Sequence, residues 1–215
     1  MKKLAILCGM LFLAGHVSAA EEQRVERMIG DAEAGQQKAQ TCAACHGPDG
    51  NSAVGDFPNI AGQHVRYIVK QLRDYKTGVE SNGERGRYNI LMADQVANLS
   101  EQDMYDLAAY FSGQENQVGG TPEELIAEGQ ALFMGGDIER GITACAACHG
   151  PSGAGMGQAM FPLLSGQHPE YTKLQLEHFR SGERANDPNA MMRDIATRLT
   201  DRDIEVLSQY IRGLY

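Results

Sequence analysis

Long apolar runs are almost missing from this 215-residue chain. The one exception, Leu4 to about Ala14, is shorter than the ~20 residues that a membrane span takes. It follows Lys2 and Lys3 and precedes the small residues Ser18, Ala19 and Ala20, so residues 1–20 read as a secretory signal peptide cleaved after Ala19 or Ala20. Cys8 follows Leu7 rather than a small residue, which argues against a lipid-modified cysteine. Nothing beyond residue 20 is apolar enough to cross a bilayer, and the mature chain is expected to be soluble in an exported compartment. Basic residues are scarce as well. There are 19 Lys and Arg against 28 Asp and Glu, a formal charge of −9, which excludes nucleic acid as a partner because phosphate binding needs clustered cations. Alternating apolar and polar runs of strand length are absent, so no sheet is expected.

Cysteine is sparse, five in all, and setting Cys8 aside with the leader leaves Cys42, Cys45, Cys145 and Cys148. Two disulfides are the default for four exported cysteines. Here, though, each pair is followed at once by a histidine, in "TCAACHGPDG" (41–50) and "ACAACHGPSG" (144–153).

That recurrence extends along the chain. "FPNIAGQH" (57–64) matches "FPLLSGQH" (161–168), "KQLRDYKTG" (70–78) matches "LQLEHFRSG" (174–182), and "MADQVANLSEQDMYDLAAYFSG" (92–113) matches "MRDIATRLTDRDIEVLSQYIRG" (192–213). The chain is a duplication: domain one over 21–112, a linker over 113–122 ("GQENQVGGTP"), and domain two over 123–215. Each copy predicts three helices. The first covers 31–41 or 123–134 and carries Gly35 or Gly129. The middle one buries Val65, Ile68, Val69, Leu72 and Tyr75 on one face, or Leu176 and Phe179 in copy two. The last opens with Ser100 or Thr200 as cap, with Asp103 or Asp203 suiting the helix dipole. It buries Met104, Leu107, Ala108 and Phe111, or Ile204, Leu207, Ser208 and Ile211. Three short helices bury too little apolar surface to hold ~90 residues together, so a large apolar group is expected at the centre of each copy.

CxxCH is the attachment signature of c-type haem: the two cysteines reach the two vinyl edges of one porphyrin, and the histidine lies under the iron as proximal ligand. A thioredoxin-like CxxC lacks its βαβ context here, and a zinc site built from both CxxC pairs leaves the adjacent histidines unexplained. Two haem c groups are therefore expected, on Cys42 and Cys45 and on Cys145 and Cys148, with His46 and His149 as ligands. For the opposite face, Met92 and Met192 are the methionines at matching positions outside the closing helix, in the loop before it. Bis-histidine ligation through His64 and His168, which also match, is the alternative. Pro58 and Pro162 are candidates to offer the carbonyl that fixes the tautomer of each ligating histidine.

"CAACHGPDGNS", "FPNIAGQ", "QLRDYKTG", "MADQVANLS" and "DLAAYF", with their second-copy counterparts down to "YIRGLY", resemble the dihaem cytochromes c of the c4 type over nearly the whole mature chain. The resemblance implies an all-α fold of two tandem class I cytochrome c domains, each wrapped around one covalent haem. It implies His46 and Met92 on one iron, His149 and Met192 on the other, and Pro58 and Pro162 accepting the histidine hydrogen bonds. Copy one has "ERGRYNILM" where copy two shows "NDP" at 186–188, so the two approaches to the methionine are expected to differ. The resemblance further implies a periplasmic protein, loosely held at the inner membrane in some relatives, that passes electrons toward terminal oxidases. A quinol–cytochrome c reductase and a terminal oxidase are then the expected redox partners. Iron closed by His and Met has no position for a small-molecule substrate, so electron transfer without catalysis is expected. The rival readings are the cytochrome subunit of a larger dehydrogenase and a dihaem peroxidase.

Overall fold

The computed structural model describes residues 29–215, and the expected signal peptide lies outside the described residues. In the first half α1 (Ala32–Lys38), α2 (Gln40–His46), α3 (Val65–Glu80), α4 (Ile90–Val96) and α5 (Glu101–Ser112) follow one another. The second half has α6 (Glu123–Gly135), α7 (Ala146–His149), α8 (Pro169–Ser181), α9 (Met191–Ala196) and α10 (Asp201–Arg212). Among the described residues no strand forms, and two isolated bridges, Asp137 with Ile142 and Met156 with Phe161, are the only β pairing. No helix among the described residues is long and apolar enough to cross a membrane.

The three expected helices of each half are present, joined by two short ones that periodicity does not reveal, one at the CxxCH motif and one at the methionine. In the first half α1 and α3 pack on α5, and the described core is Ala39, Ile68, Val69, Leu107, Ala108 and Phe111. In the second half α6 and α8 pack on α10, with Leu132, Phe133, Ile142, Leu176, Leu199, Ile204, Leu207, Ile211 and Leu214 buried. Both closing helices start with a full capping box. The Ser100 and Thr200 hydroxyls accept from the Asp103 and Asp203 N–H groups, and each carboxylate accepts from the cap residue's own N–H at 2.8 and 2.7 Å. Hydrogen bonds from Lys38 and Ser100 hold the Asp103 carboxyl down at about 2. At Asp203 burial pulls the other way and is outweighed by Arg140 and Thr200, again giving about 2.

Glycine sets how closely the first and last helices of each half approach. A Cβ at Gly35 would strike the Asp106 carbonyl of α5, and one at Gly129 would come within 2.5 Å of the Tyr210 Cβ on α10. Alanine normally gains about 1 kcal/mol over glycine inside a helix, whereas overpacking costs about 1–3 kcal/mol, so the clash wins. Gly35→Ala is therefore expected to lower the thermal midpoint by several degrees. Gly135→Ala, where a Cβ meets nothing within 4 Å, is expected to leave it unchanged or raise it. Equal melting of the two variants in a calorimetric scan would contradict this packing.

The halves lie against each other through polar groups. Arg184 donates to the Tyr67 hydroxyl at 2.9 Å and Arg87 to the side-chain oxygen of Gln175 at 2.6 Å. The Asn186 amide donates to Asp74 at 2.6 Å, while its backbone carbonyl accepts from Lys70 at 2.7 Å. The segment expected as linker carries no helix and is held at several points. Asn116 donates to the Ser165 carbonyl at 2.8 Å, Asn51 donates to the Glu115 carbonyl at 2.9 Å, and the Gly119 N–H reaches Arg212 at 3.0 Å.

Candidate haem sites

In both halves the CxxCH motif forms a helical turn that ends on its histidine. Cys42 and Cys45 lie within α2 and His46 is its last residue; Cys145 caps α7, Cys148 lies within it and His149 closes it. Gly47 and Gly150 follow with φ of 79° and 76°, a left-handed backbone that costs glycine nothing, and so stop the turn where the chain must leave the histidine.

His46 and His149 are 9 % and 7 % exposed, and their Nδ1 atoms stand 2.9 and 3.0 Å from the carbonyl oxygens of Pro58 and Pro162. A carbonyl oxygen can only accept, so Nδ1 carries the proton and Nε2 keeps a lone pair for a metal. Burial pushes both imidazoles below the usual histidine range, and the proline carbonyls oppose this only in part. The rings therefore stay neutral, as a ligand must. Phe57 and Phe161, one residue before each proline, stand 6.5 and 6.2 Å from the two imidazoles between ring centres.

No disulfide joins Cys42, Cys45, Cys145 or Cys148. Burial pushes the Cys42 thiol up, against an opposing hydrogen bond from Thr41, and the Cys145 thiol up to about 11. Redox-active and zinc-binding cysteines need the thiolate, which the surroundings of Cys42 and Cys145 disfavour. Among the described residues no three His, Cys, Asp or Glu side chains converge on a point that could hold a metal ion. The donor set instead fits a porphyrin iron. Each half offers two cysteine sulfurs and one neutral imidazole with its proton committed away from the metal position, on a turn beside an apolar cluster that Cys42 or Cys145 joins.

Met92 and Met192 lie on short helices rather than in the loops expected for them. Met92 is the third residue of α4, whose start is capped by Asn89 accepting from the Leu91 and Met92 N–H groups at 2.9 and 3.2 Å. Met192 is the second residue of α9, which follows a turn over Pro188–Ala190 and is held by Asp187 accepting from the Arg193 N–H at 3.0 Å. The two approaches do differ, as the missing "NDP" implies. Both methionines are half-buried while Leu91 and Met191 beside them are exposed, and Met192 packs on the same cluster as Cys145.

His64 and His168 are occupied elsewhere. The His64 Nε2 stands 2.9 Å from the Ala154 carbonyl oxygen and the His168 Nε2 2.9 Å from that of Ser52, so each imidazole reaches across to the other half. The residue before each, Gln63 and Gln167, is buried and likewise bonds to the opposite half. Sequence reasoning missed this contact, although the repeated Gly-Gln-His was its signal.

The family model described as Cytochrome c matches residues 32–114 and again 126–215. Cytochrome c4 of Azotobacter vinelandii is 47% identical over 189 residues, covering 86% of this chain and 90% of that protein. A thiosulfate dehydrogenase electron acceptor of Stutzerimonas stutzeri is 36% identical over 95% of this chain and 91% of its own length. The crystal structure of reduced recombinant cytochrome c4 from Pseudomonas stutzeri superposes with a TM-score of 0.84 at 48% identity, covering 86% of this chain and all of that one.

Proposed function

Because the chain belongs to the cytochrome c family, as a c4-type protein with two covalently attached haems, we propose that it is a periplasmic carrier of single electrons and not an enzyme. His46 and Met92 would hold one iron in this reading, and His149 and Met192 the other. The bound haems supply the one-electron iron couple. The protein's part is to orient each histidine through the Pro58 or Pro162 carbonyl, and Met92 and Met192 would supply thioether sulfur to the irons and help to exclude water. Sulfur ligation and burial both favour the ferrous state, which places the potentials toward the positive end of the haem range.

The observation that carries the reading is the equivalence of the two sites. Their histidine–carbonyl bonds are 2.9 and 3.0 Å, and each matching methionine lies near the start of a short helix. A dihaem peroxidase needs one site able to open, hence unequal halves. The ferrous protein at neutral pH is accordingly expected to show two haems per chain and no rapid change in its visible spectrum on adding carbon monoxide. Fast binding at either haem would refute closed coordination.

The leader-like sequence at residues 1–20 supports export to the periplasm. The acidic balance of the chain suits redox partners that dock through cations. We place the protein between a quinol–cytochrome c reductase and a terminal oxidase. A second reading, as electron acceptor of a periplasmic dehydrogenase, is favoured by the relative named for thiosulfate dehydrogenase. Reduction by a purified quinol–cytochrome c reductase or by a thiosulfate-oxidising enzyme separates the two.

A further inference from the structure

The geometry points to Gln63 and Gln167 as positioning residues that tie each haem site to the opposite half, every glutamine polarising the peptide group that holds the other half's histidine. The peptide unit joining Pro58 to Asn59 is engaged at both ends. Its carbonyl accepts from His46 Nδ1 at 2.9 Å, and its N–H donates to the side-chain oxygen of Gln167 at 2.9 Å. The peptide joining Pro162 to Leu163 repeats the arrangement, with His149 at 3.0 Å on the carbonyl and Gln63 at 2.9 Å on the N–H. Two chains of hydrogen bonds therefore cross the boundary in opposite directions, one from Gln167 to His46 and one from Gln63 to His149.

Each glutamine is held so that it can hardly turn. Its amide nitrogen donates at 2.9 Å to the carbonyl of the same residue whose N–H it accepts, Leu163 for Gln63 and Asn59 for Gln167. Its oxygen also accepts from the following N–H, His64 or His168, at 3.0 Å. Backbone N–H groups only donate and carbonyls only accept, so the amide orientation is forced. Gln63 and Gln167 are 6 % and 8 % exposed, and in such a setting neighbouring hydrogen bonds strengthen one another by roughly 10–30% each.

The direction of the effect follows from amide resonance. An acceptor on the peptide N–H makes its carbonyl oxygen more negative, which draws the imidazole proton harder and makes Nε2 a stronger donor. A stronger nitrogen donor favours the ferric state. Removing the glutamine oxygen weakens the pull and raises the potential of the haem in the other half, provided that His46 and His149 are the iron ligands proposed above.

The test is an NMR-monitored redox titration of the dihaem protein that follows the His46 and His149 ring signals separately in Gln63→Met and Gln167→Met. The expected result is crossed. Gln63→Met raises the potential reported by His149 and leaves that of His46, and Gln167→Met does the reverse. No movement, equal movement of both haems, or movement confined to the altered half overturns the inference, because a merely structural contact has no reason to act selectively on the far site. If Gln63→Met fails to fold, Gln63→Glu retains an oxygen acceptor of greater charge. It is expected to lower the His149 potential by more than that of His46, and an equal or reversed shift counts against the link. Failure of the ligand assignment is separately visible: the oxidised wild-type protein would then show no hyperfine-shifted His46 and His149 signals at all.

Discussion

Replacing Cys145 and Cys148 together by alanine is expected to cut the haem content from two per chain to one and to unfold the second half while the first keeps its spectrum. Cys145 and Ala146 pack directly on the cluster of Leu132, Phe133, Ile204 and Leu207, so this motif and whatever it carries form one side of the core. A half of about 90 residues built from three main helices and two short ones sits near the lower limit of what apolar burial alone can stabilise, and small domains of that kind depend on a staple. A covalent haem is such a staple: it binds the folded chain and contributes folding free energy directly. Pyridine haemochrome quantitation together with far-ultraviolet circular dichroism reads both consequences. Two haems per chain in the variant, or an unchanged helix signal at growth temperature with one haem, would contradict this account. Cys42→Ala with Cys45→Ala is expected to act in the same way on the first half.

The second large effect concerns the methionines. Met192→Ala is expected to lower the potential of one haem by on the order of 0.1 V, against the ~0.8 V that axial ligation spans, and to let carbon monoxide bind the ferrous form at that haem only. Met92→Ala does the same at the other. Thioether sulfur stabilises the ferrous state, so its loss favours the ferric one, and the vacated position becomes open to an external ligand. Met191→Ala is the control, because Met191 is exposed beside Met192 and matches Leu91, which cannot ligate. Potentials that do not respond in Met92→Ala and Met192→Ala would remove both from the iron. His64 and His168, the competing pair, are expected to affect the contact between halves instead, since their Nε2 atoms face the carbonyls of Ala154 and Ser52.

Much of the fold could be read from residue spacing. The buried faces of α5 and α10 are the expected ones, Met104, Leu107, Ala108 and Phe111 and their second-half equivalents, all 4 % exposed or less. An amphipathic helix announces itself through its period, and a hydroxyl followed three residues later by Asp announces its start. The short helices carrying Cys42 to His46 and Met92 were hidden because one or two turns are too few to display a period. Their order comes instead from Asn89, from Gly47 and from contacts with neighbouring helices. Pro58 and Pro162 were legible because both copies keep the aromatic–proline pair at nearly the same interval after the histidine.

The sequence by itself determined the duplication, the two haem attachment motifs and the helical class, and it marked Pro58 and Pro162 as candidate partners of the histidines, all of which are local patterns or patterns repeated along one chain. Only the tertiary structure decided how the halves meet. Gln63 and Leu163 are 100 residues apart, as in mirror image are Asn59 and Gln167 at 108, and no periodicity connects them. Their contact is the packing of one folded surface on another. There, buried peptide groups on each side need partners, and the glutamine opposite supplies both a donor and an acceptor.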